Sequence, residues 1–342
     1  MNPLNPQLQS QSFRRRGVQK VEYYVEGIRR RDRVILGQAI TLVESSSPIH
    51  QAVAQEVVDQ CLSLSGNAIR IGVTGAPGVG KSTFIEAFGL HLLEKERRVA
   101  VLAIDPSSHL SHGSILGDKT RMQELSSRAE AFIRPSPAGD TLGGVAEKTR
   151  EVMLLCEAAG FDTILVETVG VGQSEVAVHS MTDFFLLLLQ PGAGDELQGI
   201  KRGIVEMADL VAVNKSDGGR EALARQAQRA YQNALHLFPL KDSQWSAKVV
   251  RCSGLERKGI HEIWQIIGQY LDLTEKNHFF NQNRQEQARY WLHERIQNFL
   301  QNSFYQNEAV KKHRAEIEDA VAKGRLSSAK AAARLINLFR RE

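Results

Sequence analysis

From about residue 67 onward, short apolar runs alternate with longer stretches whose apolar positions recur every three or four residues. The runs are IRIGVT ending at 74, VAVLAI (99–104), DTILVE (162–167), FFLLLL (184–189), DLVAVN (209–214) and AKVVRC (247–252). Runs this short and this continuously apolar predict strands buried on both faces, whereas the spaced pattern predicts helices over 81–97, 141–159, 196–207, 219–236 and 258–272. Alternating β and α elements of this kind imply an α/β fold with a mostly parallel central sheet. Residues 17–66 carry helical spacing interrupted at ESSSP, a break followed by a fresh helix start, and so predict an N-terminal extension of two or three helices. From 278 the strands stop, and RQEQARYWLHERIQNFLQNSF and KKHRAEIEDAVAKGRLSSAKAAARLINLF read as amphipathic helices. The expected organisation is an extension over 1–66, an α/β domain over 67–275 and a C-terminal helical arm over 276–342.

Composition narrows the setting. A hydrophobic fraction of 42% supports a sizeable core, and a net charge of +4 gives no global reason to expect nucleic acid as a partner. The polar start MNPLNPQLQSQS has no apolar signal segment, and FFLLLL is too short to span a bilayer. Three cysteines, Cys61, Cys156 and Cys252, are far apart and fit a reducing compartment, so a cytoplasmic protein without membrane contact is expected.

The chemistry sits where the predicted strands end, the edge at which open α/β sheets bind ligands. After the first strand, Gly75, Ala76, Pro77, Gly78, Val79, Gly80, Lys81, Ser82 and Thr83 match G-x-x-x-x-G-K-[ST]. The glycines let backbone amides turn around a phosphate, Lys81 can reach the β- and γ-phosphates, and the Ser82 hydroxyl can ligate Mg2+. Asp105 ends the second strand, where a carboxylate can reach Mg2+ or polarise a water; an Asp capping the turn before Pro106 would look the same. Glu167 ends the third strand, in the place of a carboxylate that holds Mg2+ directly or through water. Gly170 follows in TVGVGQSE and can offer its amide to a γ-phosphate, making 167–175 a candidate switch.

Asn214, Lys215 and Asp217 form N-K-x-D at the end of the DLVAVN strand. A carboxylate there accepts from both guanine N1–H and N2–H2, groups that adenine does not present. Ser253 and Gly254, in RCSG, end the next strand, where an amide contacting guanine O6 would be expected; a plain βα turn reads equally well. His109 and His112 could suggest a metal, but no third histidine or clustered cysteine accompanies them.

Taken together, GAPGVGKST, AIDPSS, GSILGDKTRM, TLGGVAEKTRE, ETVGVGQSE, QPGAGDELQGIKRGI and NKSD resemble the MeaB/ArgK family of methylmalonyl-CoA mutase-associated GTPases. The resemblance spans about 20–275 and, more weakly, the C-terminal helices. It implies a P-loop GTPase fold with helical extensions, GTP hydrolysis with Mg2+, and homodimers formed through the C-terminal part. It also implies a role as chaperone of an adenosylcobalamin-dependent acyl-CoA mutase, gating cofactor delivery and protecting the enzyme. By the same resemblance Asp118 joins Ser82, Asp105 and Glu167 around the metal, and Gln198 and Lys201 belong to a third switch that senses the mutase. The chain departs from the family pattern at His112, where glycine is usual, and at SPAGD.

Three other readings compete. A metal-insertion GTPase would be expected to carry a Cys/His cluster, against which the isolated cysteines argue. A kinase for amino-acid transport proteins would need phospho-acceptor chemistry of its own, and a scaffold without turnover would not need Lys81, Asp105 and Glu167.

Overall fold

The computed structural model describes residues 18–104, 122–135, 142–168, 174–192 and 202–340. The chain divides into two compact units, Met1–Asn67 with Glu151–Gly160, and Ala68–Arg150 with Phe161–Glu342.

In the first unit, α1 (Val21–Arg29), α2 (Arg33–Glu44) and α3 (Pro48–Cys61) bury Tyr24, Ile28, Leu36, Ile40, Val57 and Cys61. Asp32 starts α2 by accepting from the amides of Val34 and Ile35 at 2.8 and 3.1 Å, which satisfies two of the donors a helix leaves open at its start. The amide of Gly66 donates to the Glu157 carboxylate, so the second half of a later helix belongs with this unit.

The second unit is built on β1 (Ile69–Gly75), β2 (Val99–Ile104), β3 (Ala131–Arg134), β4 (Thr163–Thr168), β5 (Phe184–Leu189), β6 (Leu210–Val213) and β7 (Lys248–Arg251). They form one sheet in the order β3-β2-β4-β1-β5-β6-β7, and every pairing is parallel. Six of these strands are those the apolar runs predict. The seventh, β3, is an edge strand of sequence AFIR with two of its four positions only partly buried, so no continuous apolar run marks it.

Between the strands lie α4 (Lys81–Glu94), α5 (Gln123–Ser127), α6 (Leu142–Ala158), α7 (Ser174–His179), α8 (Arg202–Met207), α9 (Glu221–Leu235) and α10 (Ile260–Lys276). Phe84 and Phe88 of α4 stack at 5.6 Å between centroids and pack with Ile71, Val73, Leu186, Ile263 and Ile267. A second cluster, around Leu187, Val211, Val249, Ala224 and Tyr231, closes the α9 side. The expected helices 81–97, 141–159, 219–236 and 258–272 are present within a few residues of their ends, and 202–207 is the described part of 196–207. The C-terminal stretch consists of α11 (Phe279–Gln306), α12 (Glu308–Ala322) and α13 (Ser328–Phe339). The pattern that reads as continuous from 311 to 339 breaks near Gly324, whose φ of 68° favours a residue without Cβ.

All three cysteines are buried free thiols, and burial pushes the Cys61 thiol up to about 11. Among the described residues no helix is long and apolar enough to cross a membrane.

Candidate functional site

β1 ends where the phosphate loop begins, and its last residue has to be glycine. A Cβ on Gly75 would stand 2.5 Å from the carbonyl oxygen of Leu188 on neighbouring β5. The loop then turns through Gly78 at φ 81° and Gly80 at φ 93°, a region that costs side-chain-bearing residues on the order of 1–2 kcal/mol. Gly80 is the N-cap of α4, so the amides of Lys81, Ser82 and Thr83 open the helix next to the loop. Loop amides and helix N-terminus together make an anion cradle.

Lys81 lies across this cradle. Its ammonium donates to the carbonyls of Gly75 at 2.7 Å and Ala76 at 3.3 Å, and the side chain is almost wholly buried. Burial lowers its pKa from the usual lysine range, and the carboxylates of Glu167 and Glu175 oppose that shift. Glu167 faces Val73 across the β1–β4 pairing, which carries its carboxylate to the start of α4. There Ser82 Oγ donates to Glu167 Oε1 at 3.4 Å, so the predicted hydroxyl and carboxylate ligands sit side by side. A hydroxyl and a carboxylate are hard oxygen donors of the kind Mg2+ uses alongside waters and phosphate oxygens, and the pair fits that ion. Thr74 and Thr168, hydrogen-bonded at 2.8 Å, tie the two strand ends together.

The NKSD loop after β6 is fastened directly to the phosphate loop. Asn214 Nδ2 donates to the carbonyl of Val79 at 3.0 Å, while Asn214 Oδ1 accepts from the amide of Gly254 at 3.0 Å and from the Cys252 thiol at 3.7 Å. Lys215, at φ 56°, sends its ammonium to the carbonyl of Gly78 at 2.6 Å. Ser253 Oγ donates to the Asp217 carboxylate and accepts from the amide of Glu256 at 2.9 Å. Gly254 is pressed against α4, where a Cβ would come within 3.0 Å of the Phe84 backbone. The RCSG turn left open by the sequence is therefore part of the same constellation as NKSD.

Of the predicted site, the structure brings together 75–83, Glu167, Asn214, Lys215, Asp217, Ser253 and Gly254. Asp105, Asp118, Gly170, Gln198 and Lys201 lie outside the described residues, as do His109 and His112. Two participants were not singled out by the sequence, although one of them, Glu175, lies inside the predicted 167–175 switch. Glu175, buried at the start of α7, acts on Lys81 through its charge, and its place as the last residue of GVGQSE was the available signal. Cys252 bonds Asn214 from 38 positions away, a separation that no local pattern marks.

A family model described as Methylmalonyl Co-A mutase-associated GTPase MeaB matches residues 36–309, which takes in both halves of this site. The chain belongs to the MeaB family. Within that family, GTPase ArgK of Escherichia coli is 45% identical over 89% of this chain and 92% of its own. The mitochondrial methylmalonic aciduria type A homolog of Mus musculus is 43% identical, covering 94% of this chain and 80% of the mouse protein. Among solved structures, one described as LAO/AO transport system kinase superposes with a TM-score of 0.75 at 38% identity, covering 94% of this chain and 97% of that one. The fold is that of a P-loop GTPase, as expected for a MeaB protein.

Proposed function

We propose that this chain binds and hydrolyses GTP with Mg2+ and uses the cycle to chaperone an adenosylcobalamin-dependent acyl-CoA mutase. Methylmalonyl-CoA mutase is the first candidate, with cofactor loading gated and the enzyme protected. The observation that carries the reading is the Asn214 brace, which joins Val79 in the phosphate loop to Gly254 in the base loop. One ligand with a polyphosphate at one end and a purine at the other would bridge two loops already fixed to each other, at little ordering cost.

Phosphoryl transfer asks mainly for positioning and charge stabilisation. In this reading the amides of 75–83 and the α4 N-terminus hold the phosphates, and Lys81 offsets their charge. Asp217, oriented by Ser253, selects guanine. Ser82 and Glu167, with Asp105 and Asp118, would hold Mg2+, which neutralises charge on the β- and γ-phosphate oxygens. Gly170 senses the γ-phosphate, and Gln198 with Lys201 relays contact with the mutase.

The family name and the mouse relative's name support the choice of partner. Three reduced, buried cysteines suit a cytoplasmic setting. Homodimerisation through 276–342 completes the proposal, supported by the exposed apolar face of α11, with Leu292, Ile296, Phe299 and Leu300 outward.

The test is GTP turnover with and without a cobalamin-dependent acyl-CoA mutase, wild type beside Lys201→Ala. Stimulation of the wild type that the variant loses is expected. Equal stimulation in both would remove Lys201 as the relay, and none in the wild type would remove the partner.

A further inference from the structure

Three side chains of α11 converge on the short segment that links α7 to β5. Arg284 Nε and Nη2 donate to the two oxygens of Asp183, each at 2.7 Å, a bidentate pair in which the carboxylate is only 1% exposed. The same carboxylate accepts from the amide of Arg70 on β1 at 2.8 Å, and Arg284 Nη2 also reaches the carbonyl of Ala68 at 2.5 Å. Gln287 Nε2 donates to the carbonyl of Thr182 at 2.8 Å, and Trp291 Nε1 to that of Ser180 at 3.1 Å. Positions 284, 287 and 291 share one helix face, so this is one helix reading one segment. Phe280 stacks under the Arg284 guanidinium at 4.3 Å and fixes its approach.

What that segment follows gives the contact its meaning. Residues 180–183 come directly after α7, and α7 begins with buried Ser174 and Glu175, the latter close enough for its charge to act on Lys81. Further along, Arg295 of α11 pairs with Glu147 at 3.3 Å, and Asn298 lies against Gly143, both in the first turns of α6. A single 28-residue helix therefore touches the segment that follows α7 and the start of α6.

We infer that α11 is the output element of the nucleotide site: a change of α7 on exchange of GDP for GTP is passed through 180–183 to Arg284, Gln287 and Trp291. The inference rests on the proposed guanine-nucleotide reading. Packed, hydrogen-bonded elements shift between discrete arrangements rather than deforming smoothly, which makes a bidentate ion pair with two flanking hydrogen bonds a faithful coupling. Coupling of this kind is reciprocal, so loosening the α11 contact has to change how the site discriminates the two nucleotides.

Trp291 supplies the readout. The full chain is prepared with 5-fluorotryptophan, and the resonances of Trp245, Trp264 and Trp291 are assigned by Trp→Phe substitution. Spectra are recorded with GDP and with a non-hydrolysable GTP analogue, and binding of each is measured by calorimetry. The Trp291 signal is expected to differ between the two nucleotides. In Gln287→Ala, which leaves the buried ion pair in place, that difference should shrink and the ratio of GDP to GTP-analogue affinity should change by about fivefold. Arg284→Lys serves as a second variant that keeps the charge while losing the bidentate geometry. Binding of both nucleotides with an unmoved Trp291 and an unchanged affinity ratio would overturn the coupling alone. Binding of neither would overturn the nucleotide reading and the coupling with it.

Discussion

At the scale of single residues, Asp217 makes the sharpest commitment. Its carboxylate is held by Ser253, and Lys215, two residues earlier, has its ammonium engaged at Gly78. Asp217→Asn exchanges an acceptor for a donor at the guanine edge. Breaking a buried charged pair of this type costs about 2–5 kcal/mol, on the order of thirty- to four-thousand-fold in Kd. Calorimetry should show GTP affinity falling by that factor while xanthosine triphosphate, with a carbonyl in place of the amino group, binds better. An unchanged GTP affinity would mean that another group reads the base. The sequence singled out this residue because N-K-x-D, the order that guanine recognition would need, spans only four positions. It did not disclose Asn214's second partner, since Gly254 is 40 residues away and only the sheet brings it back.

At the scale of elements, legibility followed length and burial. Most of the predicted strands are runs that the sheet covers on both faces, with β5 and β6 apolar and buried at every position. The partly buried edge strand β3 carries no continuous apolar run, the six-residue α7 is too short for a period to register, and the Arg284–Asp183 pair joins positions 101 apart with no pattern linking them. The phosphate-loop turn, by contrast, is dictated locally, and its two left-handed glycines make separable predictions. A Cβ on Gly78 meets nothing within 4 Å, whereas one on Gly80 comes within 3.0 Å of Asn214 Nδ2. Both alanine substitutions should lower stability by about 1–2 kcal/mol through backbone strain, read from the denaturant midpoint. Only Gly80→Ala should also push Asn214 off Val79 and weaken GDP binding beyond what Gly78→Ala does. Equal GDP affinities in the two variants would show that the brace does not support the site.

At the scale of the whole molecule, the C-terminal helices carry the question of assembly. Phe299 is 70% exposed and Leu292 58% exposed on α11, with Leu300 and Ile296 close by. Phe299→Glu places a charge in the centre of that stripe, and sedimentation of the full chain should pass from dimer to monomer with nucleotide binding retained. A wild-type monomer at tens of micromolar would remove the dimer. The buried thiols have a consequence of a different kind. Burial pushes the Cys61 thiol up to about 11 and Cys252 higher still, which disfavours the reactive thiolate, so alkylation must wait for the protein to open around each sulfur. The cysteines are thus built-in clocks placed at separate stations: Cys61 at the end of the third helix, Cys252 behind the NKSD loop. Saturating GDP should slow the Cys252 clock, because its thiol is bonded to Asn214 of the NKSD loop, while Cys61 keeps its own time. Mass spectrometry of maleimide-pulsed protein would read both rates in one sample, and a Cys252 rate indifferent to GDP would show that its exposure does not pass through the nucleotide site.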